Sequence, residues 1–211
     1  MAVIKKGILG GFRGKAGAVV GYRLMDQDIM RGISELRSTE FTPNEKANQW
    51  KFKTSQGWLQ PITEVLRIGF AGYKPNCHGF NGAKSFIGTH AVHGVHPFHY
   101  IDPALACISH GKLFAGTGLK AEVTPEMLVI FSWDTEGPFK YNDRAIAVVY
   151  NINGQYANYD VGLAKRVEGK ATMQLEDDFK GAEVHIYLGF VTEDRKDRSI
   201  SQYLGMFLIP E

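Results

Sequence analysis

Cysteine is scarce in this chain, with only Cys77 and Cys107 among 211 residues. Two are too few for a disulfide framework, and both are expected as free thiols. Long hydrophobic runs are also missing. Stretches such as residues 127–131 fall far short of the roughly 18 apolar residues of a transmembrane helix, so no membrane span is expected. The N-terminal residues Met1-Ala2-Val3-Ile4-Lys5-Lys6 run into glycines instead of an apolar segment with a cleavage site. That lack of a secretory pattern points to the cytoplasm, or to a particle assembled there. There is no Gly-x-Ser-x-Gly nucleophile elbow. Gly14-Lys15 is followed by Ala16 where a phosphate-binding loop needs Ser or Thr. With no nucleophile, metal or cofactor signature, the chain is expected to be no enzyme and to carry no cofactor.

What is present is a soluble-type composition, 44% hydrophobic and 22% charged, with an uneven charge distribution. Residues 1–110 hold 13 Lys or Arg against 7 Asp or Glu, and residues 111–211 hold 11 against 15. Two halves of opposite sign suggest two surfaces that can meet between copies, or a basic half that meets nucleic acid.

The first segment is an arm with glycines at 7, 10, 11, 14, 17 and 21. Alternation over residues 19–24, a turn at 25–28 and a return over 29–33 predict a hairpin. Thr42-Pro43-Asn44-Glu45 reads as a capping box with proline at the first helical position. A helix follows, kinked at Pro61, with Trp50 and Trp58 on its core stripe and an aromatic ligand box as the alternative. A second helix is expected over residues 80–92, with Asn76 as a candidate cap. Beyond residue 111 the periodicity changes to strands over 127–133, 145–150, 155–161, 171–175, 184–192 and 199–209. Asn153-Gly154 predicts a type I′ hairpin turn. The expected fold is therefore α+β. An N-terminal hairpin and helices, residues 1–112, precede an immunoglobulin/fibronectin-like β-sandwich, residues 113–211.

Three sets of residues are candidate sites. Ile8, Leu9 and Phe12 are apolar side chains in an arm otherwise rich in glycine, and they suit self-association by strand addition to a neighbouring copy. Arg13, Lys15, Arg23 and Arg31 are the phosphate contacts of a nucleic-acid-binding alternative, with Tyr141, Tyr156 and Tyr159 as stacking residues for a carbohydrate. His90, His93, His96 and His99 are the candidate metal ligands, imidazole being a good ligand for zinc, copper or nickel. Their three-residue spacing does not converge on a straight helix, and Gly94 and Pro97 interrupt one.

The order of these segments also resembles an uncharacterised protein family common in Bacteroidota. The resemblance rests on residues 10–22, Arg31-Gly32, Pro61-Ile62, residues 68–70, residues 79–83, residues 101–113, Phe131-Ser132-Trp133 and residues 145–151, and it spans nearly the whole chain. It implies a glycine-rich N-terminal arm and a C-terminal sandwich. The family carries no assigned activity, so it implies no catalytic residue, and the histidine run departs from its pattern. Arm, sandwich and charge asymmetry together lead to the expectation of a non-catalytic structural protein. It would be a homo-oligomer, or a partner of other structural proteins, in a particle, phage-like virion or filament. Nucleic-acid or carbohydrate binding is the alternative, and a metal-dependent enzyme using the histidine run is the second.

Overall fold

A computed structural model describes Val3–Ile4, Gly7 and residues 10–211 of the chain. The chain divides into two compact units, Met1–Thr42 and Pro43–Glu211.

In the first unit β1 (Val3–Ile4), β2 (Phe12–Ala16), β3 (Val19–Leu24) and β4 (Gln27–Gly32) form one antiparallel sheet in that order. The predicted hairpin is β3–β4, with a tighter tip than expected. Met25 and Asp26 both take left-handed φ, 45° and 65°, in a two-residue loop whose twist suits the strands. Residues 12–16 are a paired strand, where the sequence reading gave only an arm. Gly21 accounts for part of this. A Cβ there would lie 2.7 Å from the Phe12 ring, so glycine lets that ring cover the backbone of β3. Gly21 is nevertheless the only buried one of residues 10–42.

The second unit begins with α1 (Pro43–Leu59), which opens on Pro43. A 3-10 turn, Gln60–Ile62, separates it from α2 (Thr63–Gly69). The break falls at Pro61, which has no N–H for the helix ladder. α3 (Gly79–His90) starts behind His78; Asn76 is not its cap but lies in the preceding loop at φ 53°. β5 (Val92–Val95) and β6 (Phe98–Ile101) form a hairpin that helical spacing over 80–92 did not suggest.

The remaining strands are β7 (Lys120–Val123), β8 (Leu128–Ser132), β9 (Arg144–Asn151), β10 (Tyr156–Asp160), β11 (Lys170–Gln174), β12 (Glu183–Val191) and β13 (Gln202–Leu208). They pair antiparallel in a four-stranded sheet, β10-β9-β12-β13, and a three-stranded sheet, β11-β8-β7. The turn at Asn153-Gly154 is a four-residue loop, because Asn151 pairs with Tyr156; Gln155, not the glycine, takes the left-handed conformation at φ 55°.

Strand β9 is buried on both faces. Ile146, Val148 and Tyr150 share a core with Leu59, Ile62, Leu66 and Ile87 of the helical layer. Ala145, Ala147 and Val149 share another with Phe131, Trp133, Met173 and Phe190. The unit is α+β, with helices, a four-stranded sheet and a three-stranded sheet in successive layers. The boundary expected at 112/113 falls inside this unit, because the central sheet gives one face to the helices and the other to the small sheet.

Candidate functional site

On the first unit, direct cross-strand partners share a face of the sheet. Lys15 pairs with Val20 and Val20 with Arg31; Arg13 lies two residues from Lys15, and Tyr22 two from Val20. Arg13, Lys15 and Arg31 therefore share one face with Tyr22. Arg23 is on the opposite face, where it donates to Asp26 Oδ1 at 2.8 Å. Three of the four predicted cations come together and the fourth does not. Phe12 lies against Gly21 of its own sheet. Ile8 and Leu9 lie outside the described residues.

The histidine run is dispersed. His90 ends α3, with Nδ1 2.9 Å from the Phe86 carbonyl and its ring stacked on Phe86. His93 pairs with Tyr100 and His99 with Gly94 in the β5–β6 hairpin, so pleating sends His93 and His99 to opposite faces. His96 lies in the hairpin tip, 6.1 Å from the Trp50 ring. Among the described residues no group of three His, Cys, Asp or Glu is placed to hold a metal ion. The three tyrosines are not gathered either. Tyr141 is exposed beneath the Lys165 ammonium. Tyr156 packs with the core between the sheets and Tyr159 with the helical core, on the other face.

One concavity of the second unit is one the sequence reading did not assemble. It is a groove of about 560 Å³ between α1, β6 and the β9–β10 turn. Trp50, Thr54, Gly57 and Trp58 recur at helical spacing along its floor, and His99, Tyr100 and Ile101 form one wall. Trp58 is fixed from below: the buried Tyr150 hydroxyl donates to its carbonyl at 2.8 Å, and the two rings meet edge to face. Burial raises the Tyr150 pKa far above the ordinary tyrosine range, so that hydroxyl stays a neutral donor. The Trp58 Nε1 and both ring nitrogens of His99 are buried and have no hydrogen-bond partner among the described residues. Trp50 differs from its assignment as a core residue. It is 42% exposed, with the Lys53 ammonium 5.0 Å from its ring. The signal that could have found this site was the recurrence of Lys46, Trp50 and Lys53 on one helix face. The groove offers flat apolar surface and one cationic donor, Lys53, and among the described residues no thiol or carboxylate lines it.

The outer face of the hairpin is apolar as well: Val95 is 77% and Phe98 80% exposed. No described helix is long and apolar enough to cross a membrane.

A family model described as a family of unknown function, DUF6266, matches residues 11–205. The chain belongs to that family. No curated protein matches the sequence.

Proposed function

We propose that this member of the DUF6266 family is a non-catalytic assembly protein. It would be a self-associating subunit of a particle, phage-like virion or filament, built in the cytoplasm of a bacterium. One observation carries this reading: the N-terminal unit is a four-stranded sheet in which residues 10–42 include one buried residue, Gly21. A sheet gains independent stability from a covered apolar face. Here Leu24, Met30 and Ile33 are exposed apolar side chains. A second copy is the occupant that the charges favour. Arg13, Lys15 and Arg31 on one face of the sheet suit residues 111–211, where acidic side chains outnumber basic ones by 15 to 11. Joining different patches of two copies is a head-to-tail contact, which generates rings or filaments.

The strand orders support an immunoglobulin/fibronectin-like reading of residues 113–211. Counting from β7, the first, second and fifth strands make one sheet, and the fourth, third, sixth and seventh make the other. That division is the one used by fibronectin-type modules.

Light scattering tests the proposal on the full chain and on residues 43–211. The full chain is expected to exceed its 23.5 kDa monomer mass at high concentration, and the shorter chain to remain a folded monomer. A 23.5 kDa full chain at every concentration, or equal assembly by both, would contradict it.

A further inference from the structure

One stripe of α1 carries Lys46, Trp50, Lys53, Thr54, Gly57 and Trp58. It floors two adjoining concavities that share Trp50 and Lys53. One is the groove already described; the other, of about 260 Å³, adds Lys46, Gln49 and His96. Three observations separate this trough from ordinary surface.

The first is Gly57. Glycine inside a helix is unfavourable relative to alanine, and it usually persists where another group comes close. Here a Cβ would meet nothing within 4 Å, so no packing among the described residues requires glycine at this position. Its absent side chain keeps the floor of the groove open.

The second is charge of one sign. Lys46 and Lys53 line the trough and, among the described residues, no carboxylate does. Asp102, which follows the wall residue Ile101, accepts from the Ala104 amide at 2.9 Å. The third is the exposure of a large ring, Trp50 at 42%, at the rim of a cationic channel.

We propose that this trough binds single-stranded nucleic acid. Bases stack on Trp50, and phosphates pair with Lys46 and Lys53. Stacking platforms beside a line of cations are the physical requirement for holding a flexible strand without reading its sequence. Saccharides also stack on tryptophan, but recognition of their hydroxyls relies on well-placed acceptors. The trough offers only neutral ones, such as Gln49, Thr54 and Gln155. The site is built from residues of the second unit and does not depend on the assembly reading.

The test is fluorescence anisotropy of a labelled 12-nucleotide oligothymidylate with the full-length protein at low salt, alongside tryptophan quenching. Saturable binding with quenching is expected. Trp50→Ala should weaken it about tenfold, the scale of one lost stacking contact. Gly57→Leu, which fills the floor, should weaken it at least as much without lowering the unfolding temperature. Trp50→Ala alters an exposed side chain and serves if the leucine variant does not fold. Lys53→Gln should lower the salt slope by about one.

Absence of binding would overturn the proposal. So would binding that survives Trp50→Ala, or that is lost only in an Arg13→Gln, Lys15→Gln, Arg31→Gln triple variant, which would place the strand on the N-terminal sheet. Dextran sulfate competing as well as the oligonucleotide would reduce the effect to polyanion binding. A polygalacturonate that bound more tightly and lost affinity in Gly57→Leu would reassign the trough to saccharide.

Discussion

Arg166→Ala is expected to destabilise the second unit by about 3 kcal/mol, within the range for emptying a large buried site. The side chain is wholly buried. Its guanidinium carbon lies 4.0 Å from the centre of the Phe190 ring, 4.7 Å from Phe139 and 5.2 Å from Phe114. Nη1 donates to the Phe114 carbonyl at 2.7 Å. Alanine would leave a void among three rings and strip that carbonyl of its donor. One contribution opposes the loss. Nε and Nη2 are buried without partners, and no carboxylate oxygen forms an ion pair with this arginine among the described residues. Burial accordingly lowers the Arg166 pKa, with Asp143 raising it in part. Removing a poorly compensated cation relieves its desolvation penalty. Arg166→Met, which keeps the volume without the charge, should therefore stay within about 1 kcal/mol of the parent, as well-packed hydrophobic replacements of buried ions often do. Urea unfolding of the two variants measures both values. A stable alanine variant would show that Arg166 does not hold the three phenylalanines together. A methionine variant as unstable as alanine would show that the cation itself is required.

The second large effect is expected at glycines where backbones touch. A Cβ on Gly79 would lie 2.7 Å from the Leu66 carbonyl oxygen and 2.9 Å from the Arg67 carbonyl carbon. A Cβ on Gly69 would sit 3.0 Å from Ser109 Cα and would overlap the Ile108 carbonyl oxygen. The obstruction is backbone in both cases, and it cannot rotate aside. The Gly69 carbonyl also accepts from the His110 amide at 2.9 Å, which fixes the separation. Gly79→Ala and Gly69→Ala should each cost about 2–3 kcal/mol, the upper range for overpacking. Gly57→Ala carries the opposite sign. Nothing lies near its Cβ, so helix propensity should raise stability by about 0.5–1 kcal/mol. Thermal unfolding of the three variants checks the ordering. Equal effects at all three positions would mean that helix propensity, not backbone approach, governs them.

Much of the second unit was legible in the sequence because its elements carry local signals. The Pro43 helix start, the break at Pro61 and six of the seven strands after residue 111 follow from proline chemistry and apolar runs. The layering was not legible. Ile146 and Ala147 point to different cores, yet both are apolar, so a strand buried on two faces reads like one buried on a single face. The helical layer consequently looked like a separate domain. β2 was hidden by Gly14 and Ala16, which have little strand propensity and pair because β3 offers an adjacent edge. The trough was hidden differently. Trp50 and Trp58 belong to one helical stripe, but the stripe runs out of the core before it reaches Trp50. Its partners Tyr100 and Tyr150 are 50 and 100 residues away in sequence.

Concentration-dependent hydrogen exchange across β2, β3 and β4 is the most direct measurement of the central claim, that the N-terminal sheet orders against a second copy. Amides of residues 12–32 should exchange rapidly in dilute protein and gain protection as concentration rises, while those of β9 and β12 stay protected throughout. Protection of residues 12–32 that is already full in dilute protein and does not change with concentration would contradict the claim, because the sheet would then need no partner.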